Sequence, residues 1–278
     1  MKEQNRNLTL RVVSAIALFP VLVAITWRGG LAFAVLCGAA AAIASHELIS
    51  MLGRVGKAEV FSITVAGLLP LAPWWTRAYA GGSYPEWMPV ALGLAALIVL
   101  ASTLLRNTEL ELAPARASAS ALAWLYCGFL VGSVVAIRMR FGFGWVILAF
   151  VVTWLNDTFA YFAGRFFGKH KMLPSISPKK TWEGFAGGAL GSVVAGMILL
   201  AIFPGGWLPG LTITGCVALG AVAAVLGPLG DLVESMLKRA AGVKDSGKLI
   251  PGHGGLLDRI DALLFVAPWV YLFAALSS

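Results

Sequence analysis

The segment D-L-V-E-S-M-L-K-R-A-A-G-V-K-D-S-G-K-L-I-P-G-H-G-G-L-L-D-R-I-D, residues 231–261, decides the class of fold because it lies between two long apolar runs. It holds 10 of the 34 formally charged side chains of the chain in 31 of its 278 residues. Carboxylates hold hard cations such as Mg²⁺, and Lys and Arg bind phosphate oxygens. The segment therefore predicts phosphate chemistry beside a membrane.

The composition is that of a membrane protein. Apolar residues make up 59% of the chain and charged residues only 12%, whereas soluble domains carry about 25% charged residues. A spanning helix needs roughly 20 mostly apolar residues. Apolar runs of this kind predict an all-α integral membrane protein with nine transmembrane helices, at 11–27, 30–52, 60–76, 87–105, 117–137, 145–167, 184–203, 211–233 and 257–276.

The charged residues of the loops predict the orientation. With a cytoplasmic N-terminus, 17 Lys and Arg side chains fall on the inside and 4 on the outside, as the positive-inside rule requires. This places the C-terminus outside and two polar loops, 168–183 and 234–257, in the cytoplasm. Residues 1–116 are predicted to be scaffold helices and 117–278 the catalytic region. The basic net charge is assigned to orientation, and no nucleic-acid module is expected.

The sixth predicted span carries a polar stripe. An ionised carboxylate in mid-membrane costs about 2.5–3.5 kcal/mol, so Asp157 indicates a function. Asp157, Tyr161 and Arg165 recur at i, i+4 and i+8 and share one helix face. The alternative is a structural hydrogen-bonding pair of Asn156 and Asp157.

The stripe leads into a basic loop, G-K-H-K-M-L-P-S-I-S-P-K-K-T-W-E-G, residues 168–184. Pro174 and Pro178 disfavour a helix there. Lys179, Lys180 and Thr181, together with main-chain N–H groups, are then available to bind an anion.

A kink or break in the eighth span at Pro228 would free main-chain groups just before Asp231 and create a polar recess at the inner face of the membrane. If the chain is helical beyond it, Asp231, Glu234, Ser235 and Lys238 share a face. Asp258 and Asp261 stand one turn apart at the start of the last span, where carboxylates could bind a metal or merely cap the helix.

Other polar or reactive residues are interpreted as structural. His46 and Glu47 end the second span and are expected to be interfacial polar residues, with a functional pair as the alternative. Cys37, Cys127 and Cys216 lack metal-ligand spacing and are expected to be small packing residues.

The charged segment resembles the signature of the phosphatidate cytidylyltransferases, or CDP-diacylglycerol synthases. The loop S-P-K-K-T-W-E-G and the run N-D-T-F-A-Y-F-A-G-R-F-F-G-K are also similar to that family, so the resemblance covers about residues 156–261. The matching signature positions are Ser235, Leu237, Lys238, Arg239, Lys244, Asp245, Gly247, Ile250, Pro251, His253, Gly254, Gly255, Leu256, Asp258, Arg259, Ile260 and Asp261.

The resemblance implies a membrane enzyme that converts CTP and phosphatidic acid to CDP-diacylglycerol and pyrophosphate. It implies a homodimer in the lipid bilayer, expected in the bacterial inner membrane, with its site facing the cytoplasm. It also implies Mg²⁺ and a monovalent cation such as K⁺ near Asp231 and Asp258.

We hypothesise that Asp231 and Asp258 are the principal metal ligands, supported by Asp261 or Asp245. The predicted catalytic set is Asp231, Asp258, Lys238, Arg239 and His253. His253 is interpreted as a phosphate contact or proton carrier. The predicted substrate-binding set is Lys179, Lys180, Thr181, Ser235, Lys244, Lys248, Arg259 and Asp157.

Two other functions fit parts of the pattern. A transferase that joins a nucleotide sugar phosphate to a polyprenyl phosphate would need similar acidic loops and Mg²⁺. An ion-coupled transporter would use intramembrane carboxylates such as Asp157 and broken helices. The transporter is disfavoured because the polar chemistry belongs to the C-terminal half alone.

Overall fold

The structure is a computed structural model that describes residues 19–52, 57–79, 93–94, 96–98, 101, 111, 113–203, 206–249 and 254–277. A 3₁₀ turn, Leu69–Leu71, contains Pro70 and follows the helix Lys57–Leu68, and the stretch Ala123–Phe129 is π-helical within the helix Ala113–Arg140. The principal helices of the described residues are α1 (Phe19–Arg28), α2 (Gly30–Leu52), α3 (Lys57–Leu68), α4 (Ala72–Tyr79), α5 (Ala113–Arg140), α6 (Phe143–Phe167), α7 (Trp182–Ile202), α8 (Ile213–Ala240) and α9 (Leu257–Ser277).

Six of these helices, α2 and α5 to α9, are long and apolar enough to cross a membrane. They coincide with six of the predicted spans, so the prediction of a helical membrane protein is confirmed. Predicted span 60–76 is divided among α3, the 3₁₀ turn and α4. Residues 19–27 of predicted span 11–27 belong to α1, whereas the rest of that span and most of span 87–105 lie outside the described residues. The total of nine spans and the orientation stay predictions.

The basic loop contains a β-hairpin. Strand β1 (Lys171–Leu173) pairs antiparallel with β2 (Ser177–Thr181), with Lys171 opposite Thr181 and Leu173 opposite Ser177. The prolines exclude a helix, as expected. They do not exclude a two-stranded ribbon, because each strand has an unpaired edge on which a residue without an N–H is tolerated.

Helix α8 extends into the second predicted loop, 234–257, whose cytoplasmic location stays a prediction. Helix α8 passes through Pro228 without a break and ends at Ala240. Glu234 and Lys238 pair at i and i+4, and such pairs stabilise a helix beyond its apolar part. Counting apolar residues therefore ends the helix too early.

The described residues form two compact units. The first contains the residues up to Met139 and those of Asp245–Arg259, and the second contains Arg140–Lys244 and the residues from Ile260 onward. The predicted division of roles between 1–116 and 117–278 stays a prediction.

In the first unit, α2 packs against α3 and α5. A Cβ on Gly38 would lie 2.5 Å from the carbonyl oxygen of Gly67, so α2 and α3 meet main chain to main chain. Trp124 Nε1 donates a hydrogen bond to Ser62 O at 3.1 Å and links α5 to α3. Cys37 and Cys127 are free and buried in this packing.

In the second unit, glycines allow α6 and α7 to pack closely. A Cβ on Gly188 would lie 3.1 Å from Asn156 O, and one on Gly191 would lie 2.5 Å from Leu155 O. Small residues at the crossing point allow membrane helices to approach each other closely, which matters because no aqueous hydrophobic effect drives their association. The same packing places Asn156 Nδ2 2.8 Å from Ser192 Oγ, as donor to acceptor.

Replacement of Gly191 by Val should destabilise the protein by about 1–3 kcal/mol, because overpacking forces the main chain apart. Besides Leu155 O, the added carbon would lie 2.8 Å from Phe159 Cβ. Thermal unfolding in detergent measures the effect. Leu190→Ala, at the neighbouring exposed position of α7, is the control and should have the melting temperature of the wild type. An unchanged melting temperature for Gly191→Val would contradict the packing.

Candidate active site

An ion pair joins the hairpin to α8. Lys180, near the end of β2, has its Nζ 2.8 Å from Asp231 Oδ2, and the same Nζ donates to Pro228 O at 2.9 Å. Both side chains are half-buried, at 20% and 39% exposure. The expected polar recess at Pro228 therefore forms without a helix break, because a hairpin lysine satisfies the carbonyl group.

The Asp231 carboxylate of this ion pair belongs to a cluster of three carboxylates. Asp231, Glu234 and Asp261 each offer an oxygen, and these oxygens lie within 4.8 Å of one another. Ser235 Oγ donates to Asp231 Oδ1 at 3.2 Å, and Lys238 forms an ion pair with Glu234. A set of three carboxylates is a donor set that fits a hard divalent cation.

Gly230 makes this cluster possible. A Cβ at this position would lie 2.5 Å from Asp261 O and 3.0 Å from Ala262 Cα. Helices α8 and α9 therefore meet main chain to main chain beside the acidic residues. Without that close approach, Asp231 and Asp261 would stay further apart.

A cavity of about 500 Å³ opens beside the ion pair. The polar stripe of α6 faces it, as the spacing predicted, and Arg165 Nη1 donates to Tyr161 OH at 2.8 Å. The polar residues that line the cavity include Asp157, Tyr161 and Arg165 of α6, Lys179, Lys180 and Thr181 of the hairpin, and Asp231 of α8.

The hairpin is held at its base by the start of α7. The Glu183 carboxylate accepts the main-chain N–H of Lys169 at 3.1 Å and that of His170 at 3.2 Å, and it lies 2.6 Å from His170 Nδ1. Thr181 Oγ1 accepts from Gly184 N at 3.1 Å and caps α7. The lysines between these anchors are thereby directed to the cavity.

The first unit contains two further signature carboxylates, Asp245 and Asp258. Asp258 Oδ2 accepts hydrogen bonds from Ser246 N and Gly255 N, both at 2.9 Å, and from Ser246 Oγ at 3.0 Å. The segment Asp245–Arg259 of this unit also contains three exposed charged side chains, those of Asp245, Lys248 and Arg259. Gly254 has a φ of +83°, a conformation that favours glycine.

The second unit thus brings together most of the predicted site residues: Asp157, Lys179, Lys180, Thr181, Asp231, Ser235, Lys238 and Asp261. Arg239 instead lies at the exposed end of α8, where Nη1 is 3.4 Å from Val243 O, and Lys244 is exposed. His253 lies outside the described residues. Asp231 and Asp258 belong to different units, and their proposed shared metal stays a prediction.

Sequence reasoning missed two glutamates. Glu234 was placed on the same helix face as Asp231 but not among the metal ligands. Its position four residues before Lys238 was a signal of an ion pair. Glu47 was expected at the interface, but it is 6% exposed and accepts the N–H groups of Leu256 and Leu257 at 2.9 Å. That expectation was wrong for Glu47, because its partners lie about 200 residues away in sequence. His46 is exposed, as expected.

Comparison with known proteins extends the resemblance beyond the signature. The Cytidylyltransferase family profile matches residues 9–277. The chain belongs to this family. It is 37% identical to the phosphatidate cytidylyltransferase of Bacillus subtilis (strain 168) over 99% of this chain and 98% of that protein.

Two other bacterial proteins named phosphatidate cytidylyltransferase are similar over nearly their whole length. The one from Brucella abortus is 32% identical over 97% of this chain and 94% of its own. The one from Staphylococcus aureus (strain COL) is 34% identical over 93% of this chain and 96% of its own. The expected family is confirmed, and the similarity covers the predicted scaffold helices as well as the signature.

Replacement of Lys238 by Met should destabilise the folded protein by about 3–5 kcal/mol, because it leaves the buried Glu234 carboxylate without this cation. Glu234 is 0% exposed. The melting temperature in detergent measures the loss. The double variant Lys238→Met/Glu234→Gln is the matched control and should recover most of the stability. Equal melting temperatures for the single variant and the wild type would show that the ion pair is not needed.

Proposed function

We propose that the protein transfers a cytidylyl group from CTP to phosphatidic acid, giving CDP-diacylglycerol and pyrophosphate. The observation that carries this proposal is the Lys180–Asp231 ion pair, which stands between a lysine-lined cavity and a three-carboxylate cluster among membrane helices. The names of the full-length relatives support the choice of substrates.

The reaction needs charge control more than proton transfer. Phosphatidic acid already carries an ionised phosphate at neutral pH, so one of its oxygens can attack the α-phosphorus of CTP. A new P–O bond forms, the bond between the α- and β-phosphates breaks, and pyrophosphate leaves with the electron pair. Catalysis then depends on positioning two polyanions and stabilising charge on the leaving group.

The carboxylate cluster is proposed to hold Mg²⁺ through Asp231, Asp261 and Glu234. Their oxygens, within 4.8 Å of one another, suit a small cation that prefers oxygen ligands. When bound, Mg²⁺ would supply positive charge to phosphate oxygens. Asp258 and Asp245 stay predicted ligands, and the K⁺ implied by the resemblance stays a prediction.

The cations of the second unit are proposed to bind the phosphates. Lys180 is paired with Asp231 and Lys238 with Glu234. A lysine that already neutralises a carboxylate can share its ammonium with a phosphate oxygen at little reorganisation cost. Lys179 and Thr181 line the same cavity, and Arg165 stands with Tyr161 on its α6 side. Lys244, Lys248, Arg259, Arg239 and His253 stay predicted phosphate contacts.

We propose that the site faces the cytoplasm of a bacterial cell, at the inner membrane. The bacterial relatives and the 17 to 4 distribution of loop Lys and Arg support this orientation. CTP is cytoplasmic, so a site on the other face would lack its substrate. The homodimer and the total of nine spans stay predictions of the sequence.

Purified protein should incorporate label from [α-³²P]CTP into lipid when phosphatidic acid and Mg²⁺ are present. Lys180→Met should lower kcat by about 10²-fold or more, since it removes a donor from the site of developing charge. The matched control is Lys169→Met, which changes an exposed lysine of the same loop and should retain activity. Absence of labelled lipid with wild-type protein would refute the proposed function.

Removal of divalent cations by EDTA should stop incorporation, and excess Mg²⁺ should restore it. Asp261→Asn should raise the Mg²⁺ concentration for half-maximal activity by about 10-fold or more, because even indirect ligand partners have effects of this size. Initial rates against Mg²⁺ concentration measure the shift. An unchanged Mg²⁺ dependence would remove Asp261 from the metal site.

A further inference from the structure

Glu47 is a buried carboxylate near the end of α2, outside the signature and outside the cavity of the second unit. It is 6% exposed, and its oxygens accept the N–H of Leu256 (Oε1) and of Leu257 (Oε2), each at 2.9 Å. Burying a carboxylate is costly unless donors satisfy it. The chain therefore provides these donors from a segment 209 and 210 residues away.

The donors belong to the start of α9. The first N–H groups of a helix have no partner within the helix, and the positive end of its dipole favours a negative group. Leu257 is the first residue of α9. Glu47, a residue of α2, thus caps the start of α9. This contact fixes the position of the first turn of α9, which contains Asp258.

Ser246 links Glu47 to Asp258. Its hydroxyl oxygen lies 3.2 Å from Glu47 Oε2 and 3.0 Å from Asp258 Oδ2. A hydroxyl has one proton, so it donates to one carboxylate at a time. Ser246 N also donates to Asp258 at 2.9 Å, which keeps this residue against both carboxylates.

Two signature glycines close around the Glu47 side chain. A Cβ on Gly247 would lie 2.5 Å from Glu47 Oε1, and a Cβ on Gly255 would lie 2.5 Å from Glu47 Oε2. Any larger residue would displace the carboxylate. The glycines at 247 and 255 are therefore explained by the approach of main chain to Glu47.

We infer that Glu47 is a positioning residue for the cytidylyl transfer. It holds the segment around Ser246 and the start of α9 so that the Asp258 carboxylate keeps one orientation. In this role Glu47 acts on catalysis through the Asp258 carboxylate and not through contact with a substrate. The inference rests on the proposed function, in which Asp258 is a predicted metal ligand. It extends that function to a residue of the N-terminal half of the chain.

The test uses the full-length protein in detergent with Glu47→Gln. Glutamine keeps the size of the side chain but offers one acceptor oxygen, and its NH₂ group faces an N–H donor. We expect kcat to fall by about 10–100-fold, as for other residues that orient metal ligands. The Mg²⁺ concentration for half-maximal activity should rise, while KM for CTP should change little. A purely structural role would lower the melting temperature without changing kcat and the Mg²⁺ dependence separately from KM for CTP.

Two readouts do not depend on turnover. Hydrogen exchange of peptides containing Leu256 and Leu257 should accelerate in Glu47→Gln, because their N–H groups lose an acceptor. Binding of Mn²⁺, followed by its electron spin resonance signal, should weaken. The matched control is Glu59→Gln, at another buried glutamate of the first unit with 3% exposure. It should leave kcat, Mn²⁺ binding and the exchange of these peptides at wild-type values.

If Glu47→Gln does not fold, Ser246→Ala tests the positioning role of Glu47 instead. It removes the hydroxyl link but keeps the main-chain bond to Asp258, so we expect a smaller loss of kcat and the same direction of change in Mg²⁺ dependence. Wild-type kcat, Mg²⁺ dependence and exchange in a folded variant would overturn the inference. Inactive wild-type protein would instead refute the proposed function, and the exchange experiment would still show whether Glu47 holds the segment.

Discussion

A carboxylate placed among membrane helices must be matched by a cation or by hydrogen-bond donors, and the rest of this molecule depends on that constraint. The two units satisfy it differently. In the second unit, Lys180 and Lys238 are ion-paired with Asp231 and Glu234. In the first unit, Glu47 and Asp258 accept main-chain N–H groups.

The two kinds of compensation have different consequences. A lysine side chain is long and flexible, so it can turn from a carboxylate to a phosphate when a substrate arrives. A main-chain N–H cannot turn without moving the helix or turn to which it belongs. The lysine-paired carboxylates of the second unit therefore suit a site that exchanges charge with its ligand. The N–H-bound carboxylates of the first unit suit a rigid support.

Much of the fold follows from local sequence. The apolar runs locate the six helices of membrane length to within a few residues, except at the end of α8. There the polar pair of Glu234 and Lys238 continues a helix that hydropathy alone ends too soon. Pro174 and Pro178 predict the absence of a helix between α6 and α7. They do not predict the pairing of β1 with β2, because strand pairing depends on which residues face each other and not on either proline.

Much of the candidate site also follows from spacing. The intervals between Asp157, Tyr161 and Arg165, and between Asp231, Ser235 and Lys238, predict shared helix faces, and these side chains lie as expected. Contacts between distant segments could not be predicted in this way. Lys180 reaches the carbonyl group of Pro228, 48 residues away, and Glu47 reaches the start of α9. No periodicity within one segment encodes such a pairing.

Glycine supplies the missing signal. A polar contact between distant helices needs their main chains to come close, and close approach excludes side chains at the crossing point. Gly230 is required where α8 meets Asp261, and Gly247 and Gly255 are required where main chain surrounds Glu47. Glycines next to charged residues, such as G-D at 230–231 and G-K at 247–248, therefore mark where a carboxylate meets another part of the chain. This physical requirement ties Gly230 to Asp261, and Gly247 and Gly255 to Glu47, because larger residues in their place would not leave room for these contacts.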